Sequence, residues 1–189
     1  MKKILLALAL IFTAFHAEAA GLKPTYIGVD FGFSYLNGDL IDGYGMDETV
    51  VSGGLNVGIM FNENFGAELS HFKSTDSSGR DSFYWGGYYF TDTIKSSYSS
   101  LGVDLFGYLP LSNQSSVFFS AGIAKYETDS SSSFWGKDKE DKTAARFGIG
   151  MERKIDRNVS VRAMLRYAPV NMDDLDSVTE LTAGIKYSF

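Results

Sequence analysis

The sequence has no cysteine, so disulfide bonds and cysteine-ligated metal sites are excluded. After Phe15 it has no run of 18 apolar residues, so we expect no helical membrane span. Basic residues are outnumbered, 17 to 23, and form no cluster, which argues against nucleic acid as a partner. Prolines number only three against 20 glycines and 15% aromatic residues. This composition favours β-structure with many tight turns.

The first 19 residues have the three-part layout of a secretory signal peptide. Lys2 and Lys3 precede an uncharged, mostly apolar run over residues 4–15, and Ala17-Glu18-Ala19 supplies a small-x-small cleavage pattern. The apolar run is too short for a membrane-spanning helix, which takes about 20 residues. We therefore predict a signal peptide over residues 1–19 and one domain over 20–189, with 15 basic and 22 acidic residues.

Eight segments alternate between apolar residues and small or polar ones, which is the period-2 pattern of a two-faced strand. They lie at 27–35, 51–61, 65–69, 101–109, 116–124, 145–152, 159–167 and 181–189. Short turns are expected at 62–64, 110–115 and 154–158, and longer polar connections at 36–48, 73–93, 127–142 and 169–179. An even strand number, with short turns at one rim and long loops at the other, predicts an all-β, eight-stranded antiparallel transmembrane barrel of up-and-down topology.

The composition of the two stripes separates a lipid-embedded barrel from a soluble one. One stripe is rich in Leu, Ile, Val and Phe, as a lipid-facing surface requires. The other is rich in Gly, Ser and Ala, which fit a narrow eight-stranded lumen. Aromatic residues near both rims resemble two interfacial girdles. We expect the apolar stripe to face lipid.

Two segments carry a resemblance to a known family. The segment Asn64-Phe65-Gly66-Ala67-Glu68-Leu69-Ser70 and the terminal Leu181–Phe189 strand are similar to those of outer-membrane barrels of the OmpA, OmpX and opacity-protein type. The resemblance implies a bacterial outer-membrane location among lipid and lipopolysaccharide. It also implies that the barrel-assembly machinery reads Tyr187 and Phe189, and that Glu68 is a lumenal glutamate. No periplasmic OmpA-like domain is expected after Phe189, so anchoring to the cell wall is not implied.

Nine charged residues fall on the stripe that should face the lumen. They are Asp30, Glu68, Asp104, Glu152 and Glu180 with Arg146, Arg162, Arg166 and Lys186. Buried charges are costly unless paired, so this near-balance predicts ion pairs that cross and plug the barrel. Glu68 is expected to pair with Arg162 or Arg166. The alternative is a gated, low-conductance pore in which the Glu68 pair switches partners.

Two aromatic stretches lie in the long connections. The first holds Phe83, Tyr84, Trp85, Tyr88 and Tyr89 and continues to Phe90; the second holds Phe134 and Trp135. Exposed aromatic residues among Ser and Gly suit binding to another surface, such as a host ligand. They also suit a hairpin that turns at Gly86-Gly87 and extends strands three and four, and the two interpretations are compatible.

No catalytic site is evident. The one histidine after the signal peptide, His71, adjoins Ser70, but adjacent strand residues point to opposite faces and cannot form a nucleophile–base pair. We expect no enzyme activity, no cofactor and no metal. The predicted function is envelope structure or surface interaction and adhesion through the long loops, and a small passive pore is the alternative.

Overall fold

The computed structural model describes residues 25–38, 48–85, 88–132, 136–172 and 175–189. These residues form nine strands. Their bounds are β1 Thr25–Asn37, β2 Thr49–Met60, β3 Phe65–Ser74, β4 Ser77–Trp85, β5 Tyr88–Pro110, β6 Ser115–Ser132, β7 Gly136–Lys154, β8 Val159–Pro169 and β9 Ser177–Ser188. None of the described residues belongs to a helix long and apolar enough to cross a membrane.

Eight of the strands close into a barrel. Each pairs antiparallel with its neighbours in the order β3-β2-β1-β9-β8-β7-β6-β5, and β3 pairs with β5 to complete the circle. The first and last strands join along their whole length, from Tyr26 opposite Ser188 to Asn37 opposite Ser177. The predicted eight-stranded, up-and-down antiparallel barrel is therefore confirmed.

The alternation in the sequence becomes two different surfaces of the wall. Large apolar side chains such as Leu55, Leu105 and Ile123 point outward, with 63%, 62% and 62% of their surface exposed. Their polar and small neighbours in sequence point into the lumen and are mostly buried. An exposed apolar band of this size is stable only against lipid, which is the arrangement of a membrane barrel.

The three short turns are closed in the same way. In each, the amide at the start of the turn donates to the carbonyl four residues on: Phe61 to Phe65, Leu111 to Ser115 and Ile155 to Val159, all at 2.9 Å. These turns lie where the sequence predicted them. They define the short-turn rim, and the strands run from it to the opposite, long-connection rim.

Two of the predicted long connections, at 73–93 and 127–142, are mostly strand. In the first, the strands form the hairpin extension that the sequence also predicted, whereas the prediction of a loop at 127–142 is wrong. Residues 77–85 form β4, which pairs with the first part of β5 from Trp85 opposite Tyr88 to Ser77 opposite Ser96. Residues 127–132 and 136–142 continue β6 and β7. Inward-facing residues of these extensions, such as Ile94 and Thr128, are buried. Their outward-facing neighbours, such as Lys95 and Glu127, are polar because no lipid surrounds them, so the sequence carries no apolar outer stripe to reveal the strands.

These extensions form one sheet above the barrel, which we call the ribbon: residues 77–85, 88–99, 127–132 and 136–141. The row Ser99–Glu127–Asp141 marks its base. A tilted strand crosses a bilayer with about 9 to 11 residues, whereas β5 has 23. About half of β5 is therefore available for the ribbon.

Candidate functional site

Arg162 on β8 holds two lumenal carboxylates at once. It donates from Nη2 to Asp30 Oδ2 at 2.5 Å and from Nη1 to Glu68 Oε2 at 2.6 Å. Asn56 also donates to Asp30 at 2.7 Å, and the Tyr26 hydroxyl donates to Glu68 at 2.8 Å. Because β3 and β8 are four strands apart in a ring of eight, the Arg162–Glu68 pair joins opposite walls of the barrel.

Arg146 on β7 forms a bidentate pair with Asp104 on β5. Its Nε and Nη2 lie 2.8 and 2.5 Å from the two carboxylate oxygens, and Nη2 also donates to Ser70 Oγ at 2.8 Å. The guanidinium lies over Gly102 and Ala124. A Cβ on Gly102 would stand 2.5 Å from the Ala124 methyl and 2.7 Å from Arg146 Cζ. Small residues thus make room for the arginine.

Arg166 and Glu180 pair between the neighbouring strands β8 and β9. Arg166 Nη1 lies 2.9 Å from Glu180 Oε2, and the Tyr98 hydroxyl donates to the other carboxylate oxygen at 2.8 Å. Arg166 Nη2 also lies 3.7 Å from Asp104 Oδ2, which connects this pair to that of Arg146. Arg146 and Arg166 are therefore linked through the shared carboxylate of Asp104.

The fourth cation lies nearer the short-turn rim. Lys186 Nζ donates to Glu152 Oε2 at 2.7 Å and stands 3.7 Å above the centre of the Tyr26 ring. Glu152 also accepts from Ser160 Oγ at 2.9 Å. Lys186, Glu152 and Tyr26 line a cavity of about 510 Å³ whose other lining residues include those of the short turns, such as Asn62. This cavity is a funnel at the short-turn end of the lumen.

The structure places all nine charged residues of the predicted lumen set inside the barrel. Eight are buried, and the Glu152 side chain keeps 13% of its surface exposed in the funnel. Strand parity assigned the face of each residue. It did not assign partners, because cross-barrel neighbours depend on strand tilt and register.

Sequence reasoning missed the apolar filling of the lumen. Near the funnel, Phe106, Tyr108, Phe118 and Met164 form one buried cluster, with Phe106 and Phe118 ring centres 5.4 Å apart. The signal for Phe118 was its position between two outward residues on β6. Phe118 is flanked by the apolar residues Val117 and Phe119, so the sequence there reads as one apolar run. The expectation that small residues fill the lumen therefore did not identify Phe118 as a lumenal residue.

A second apolar cluster closes the long-connection end, and part of it comes from the loop between β8 and β9. Val170, Met172 and Leu175 of this loop are buried to 1%, 4% and 3% exposure against lumenal residues of the wall. The loop is tied down at Asp176, whose amide donates to the Asn37 carbonyl at 2.8 Å. We call the described residues 170–172 and 175–176 the cap.

Ser70 and His71 lie on opposite sides of the wall. Ser70 is buried in the lumen beside Arg146, whereas His71 is exposed on the outer face, where its Nδ1 lies 3.0 Å from the Ser100 carbonyl oxygen. The pair cannot act as nucleophile and base. In the described part of the chain, no group of three His, Asp or Glu side chains could hold a metal ion.

The aromatic end of β9 lies on the outer face at the short-turn rim. Tyr187 and Phe189 keep 46% and 45% of their surface exposed, and their rings meet edge to face at 5.3 Å. This location makes both residues accessible at the membrane boundary. It is compatible with their predicted part in assembly.

The aromatic residues of the first stretch lie at the tip of the ribbon. Phe83 is opposite Phe90, Tyr84 opposite Tyr89 and Trp85 opposite Tyr88 in the β4–β5 register. This pairing is that of the predicted hairpin, whose turn at 86–87 falls outside the described residues. Phe134 and Trp135 of the second stretch also lie outside them.

Charged residues of the ribbon pair across its outer face. Lys139 contacts Asp129 directly, and this hydrogen-bonded carboxylate raises the pKa of Lys139 above its ordinary value. Lys125, just below the ribbon, lies 3.0 Å from Asp141. The ribbon sequence has four basic and seven acidic residues, so the whole surface is acidic.

Comparison with known proteins supports the geometry. Residues 4–189 match the sequence profile of the outer membrane protein beta-barrel domain. The fold is similar to that of Ail, the attachment invasion locus protein of Yersinia pestis, with a TM-score of 0.60 and 19% identity over 88% of this chain and 98% of Ail. It is also similar to Neisserial surface protein A, with a TM-score of 0.66 and 12% identity over 87% and 97%. No protein with a curated description matches.

A third similar structure is a major outer membrane protein of Thermus thermophilus, with a TM-score of 0.63 and 12% identity over 87% of this chain and 99% of that one. At these identities the structures establish the fold alone, whereas the profile covers nearly the whole sequence. Profile and barrel together indicate the bacterial outer membrane as the location. The chain belongs to the outer membrane protein β-barrel domain family.

Proposed function

We propose that this protein is a closed outer-membrane barrel whose ribbon interacts with other surfaces, so that its role is adhesion or envelope structure rather than transport or catalysis. The signal peptide over residues 1–19 directs its export, and the strand ending in Tyr187 and Phe189 directs its insertion by the barrel-assembly machinery. Lipid and lipopolysaccharide surround the apolar band. The observation that carries the proposal is the continuation of β4 to β7 beyond the barrel as a paired sheet.

The contents of the lumen support its closure. Buried ion pairs occupy the middle, an aromatic cluster lies beside the funnel, and the cap fills the long-connection end. An eight-stranded barrel is only about wide enough for side chains to fill. A solute would therefore have to displace both charged and apolar groups, and their restoring contacts make passage unfavourable.

One observation favours a small pore as the second candidate. The funnel of about 510 Å³ brings solvent-accessible space to Lys186 at the short-turn end, so only part of the lumen needs to open. Glu68 is the group whose change of partner would open that part, because its pair with Arg162 spans the barrel.

Planar-bilayer recording of refolded protein tests the two candidates. The closed barrel predicts near-zero conductance for the wild type and for Glu68→Ala, because the cap and the aromatic cluster remain. The exposed Glu63→Ala serves as a control for loss of an acidic residue. Steady conductance of the wild type, altered by Glu68→Ala but not by Glu63→Ala, would overturn the closed barrel in favour of the pore.

Deletion of residues 83–90 tests the surface role. Cells that display the protein should adhere to polystyrene and cultured epithelial cells, and the deletion should abolish that adhesion because it removes the aromatic tip. Removal of the paired residues 128–131 and 137–140 shortens the neighbouring hairpin by the same eight residues but keeps Phe134 and Trp135, and serves as the control. Equal adhesion by the wild type and the 83–90 deletion would show that the tip is not the contact surface.

The excess of acidic residues in the ribbon also predicts that polyanions do not bind to it. Ail has been solved in complex with the heparin analogue sucrose octasulfate. Here the seven acidic residues against four basic ones in the ribbon repel polyanions. We expect no saturable binding of sucrose octasulfate by calorimetry at physiological ionic strength.

A further inference from the structure

The ribbon has two edges, and they differ in sequence. One is β4, which pairs with β5 on one side and with no described strand on the other. The second is the 136–141 part of β7, which pairs with β6 alone among the described strands, because the pairing of β7 with β8 begins only at Phe147. Unpaired edges are templates for another strand unless their sequence prevents it.

The β7 edge carries the residues that prevent such pairing. Lys137 and Lys139 fall on it and Lys142 directly follows it in sequence, and lysine is the residue most used to keep sheet edges from associating. The nine-residue β4 edge has a single basic and a single acidic residue, Arg80 and Asp81. Of the two edges, β4 is therefore the one suited to accept a strand.

The sequence of β4 also indicates what that strand is. Asp81 lies opposite Asp92 in the β4–β5 register, and like charges directly opposite each other destabilise a sheet. A strand on the side of β4 away from β5 that places a cation opposite Asp81 in register would offset this like-charge placement. β4 itself provides one, because Arg80 adjoins Asp81.

When two β4 strands pair near their centres, only one register places both charged residues of each strand opposite a residue of opposite charge. Antiparallel pairing about the Arg80–Asp81 peptide places each Arg80 opposite the other copy's Asp81. A shift by one residue in one direction places Asp81 opposite Asp81, and a shift in the other direction places Arg80 opposite Arg80. The favoured register is two-fold symmetric, so it closes as a dimer rather than a fibre.

The direction of β4 decides where the two copies lie. β3 leaves the short-turn rim, and β4 continues in the same direction, away from the membrane. Two copies upright in one membrane have parallel β4 strands, whereas copies in facing membranes have antiparallel ones. We propose that β4 pairs antiparallel with β4 of a second copy in a facing membrane and so joins two cells; this rests on the proposed surface role of the ribbon.

Clustering of phosphatidylcholine vesicles that contain refolded protein tests this pairing. Wild-type vesicles should cluster, as measured by dynamic light scattering. Arg80→Asp and Asp81→Arg should each slow clustering by roughly tenfold, because each places like charges opposite one another twice. The double variant Arg80→Asp/Asp81→Arg restores both opposite-charge pairs and should cluster like the wild type.

Mixing gives the most specific readout. Vesicles with Arg80→Asp present two acidic residues and those with Asp81→Arg present two basic ones, so the mixture should cluster although neither population does alone. Heat-modifiable gel migration checks that every variant is folded. A mixture that stays dispersed, or single variants that cluster like the wild type, would overturn the pairing.

Disulfide formation reports the register directly, since the protein has no cysteine of its own. In the favoured register Ser78 lies opposite Phe83 of the other copy. Vesicles with Ser78→Cys mixed with vesicles with Phe83→Cys should form crosslinked dimers on oxidation, and Ser78→Cys mixed with Ser82→Cys should form few. Dimers of Ser82→Cys within one vesicle population would instead indicate parallel pairing in one membrane and would contradict the proposal.

The outcomes separate this inference from the proposed function. If deletion of residues 83–90 abolishes adhesion to surfaces while the charge variants leave vesicle clustering unchanged, the surface role stands and the β4 pairing is wrong. If vesicles with the wild-type protein fail to cluster but cells that display it still adhere to surfaces, the surface role again stands and the β4 pairing is wrong. If the deletion leaves adhesion unchanged, the surface role of the tip is wrong, whatever the vesicles do.

Discussion

At the scale of single residues, the lumen depends on a few groups that have several partners each. Arg162 neutralises both Asp30 and Glu68, and the two carboxylates have no second cation within salt-bridge distance among the described residues. A buried ion pair contributes little compared with well-packed apolar groups, but removing one member leaves an uncompensated charge. Replacing Arg162 alone should therefore destabilise the barrel, whereas replacing Arg162 together with both carboxylates should restore most of the stability.

Arg162→Met should lower the free energy of unfolding by about 3 to 5 kcal/mol, because it leaves two carboxylates unpaired in the lumen. Unfolding by guanidinium in detergent micelles, followed by the circular dichroism of the strands, measures the change. The matched control is Arg157→Met in an exposed turn, for which the expected change is within about 0.5 kcal/mol.

The triple variant Asp30→Asn/Glu68→Gln/Arg162→Met should recover most of that loss, because it removes the charges together with their partner. A triple variant that is less stable than Arg162→Met would show that the ion pairs themselves stabilise the barrel.

Gly102→Ala should be destabilising by about 1 to 3 kcal/mol, since its Cβ would overlap Ala124 and Arg146 at 2.5 and 2.7 Å. Gly107 lies on the same strand, and a Cβ there would meet only Phe65 at 3.7 Å. Gly107→Ala is therefore the control and should be neutral or slightly stabilising in the same unfolding assay. Equal effects at the two positions would show that Arg146 moves aside without cost.

At the scale of elements, the β8–β9 connection differs most from its sequence-based description. Residues 169–179 were expected to be a long polar connection, yet Val170, Met172 and Leu175 pack into the lumen. Isolated apolar residues in a loop carry no periodic signal. Their burial depends on the neighbouring wall, in which Leu36 and Val178 present apolar surface at the same height.

Met172→Asp should open the cap, because burying an unpaired carboxylate costs about 2 kcal/mol or more. That cost corresponds to a roughly 30-fold larger fraction of molecules in which the cap is open. In an Ala144→Cys background, a membrane-impermeant maleimide should then label the cysteine correspondingly faster. Asp176→Asn, a change at an exposed cap residue, is the control. Equal labelling rates in the two variants would contradict a closing role for the cap.

At the scale of the whole molecule, an outward apolar surface and an inward polar one make the barrel stable only in lipid or detergent. The refolded protein should therefore migrate as a compact species on gels until it is boiled. The closure of β1 against β9 makes unfolding cooperative, since no edge strand of the barrel is free to detach.

Phe189→Ala should reduce the amount of folded barrel in cells but not the yield of refolding in detergent, because the proposed assembly signal acts only in the presence of the assembly machinery. Heat-modifiable migration measures both. Phe147→Ala, which removes an exposed aromatic side chain elsewhere on the outer face, controls for loss of lipid contact. Equal losses in cells and in detergent would show that Phe189 acts through stability instead.

The sequence by itself determined the barrel, its strand count and the face of each residue in the wall. The reason is that period-2 alternation is local, and a membrane imposes it on every strand that crosses. Asp30 and Arg162 could both be assigned to the lumen from their own neighbours in sequence. The short turns were equally predictable, because each interrupts the alternation for only a few residues.

Only the tertiary structure decided which residues meet. Alternation gives the face of Glu68 but not its height, so strand tilt and register selected Arg162 as its direct partner. The cap and the ribbon depended on tertiary structure for a related reason. No bilayer constrains their sequence, so the burial of Met172 and the register that places Asp81 opposite Asp92 follow from contacts that only the folded chain brings together.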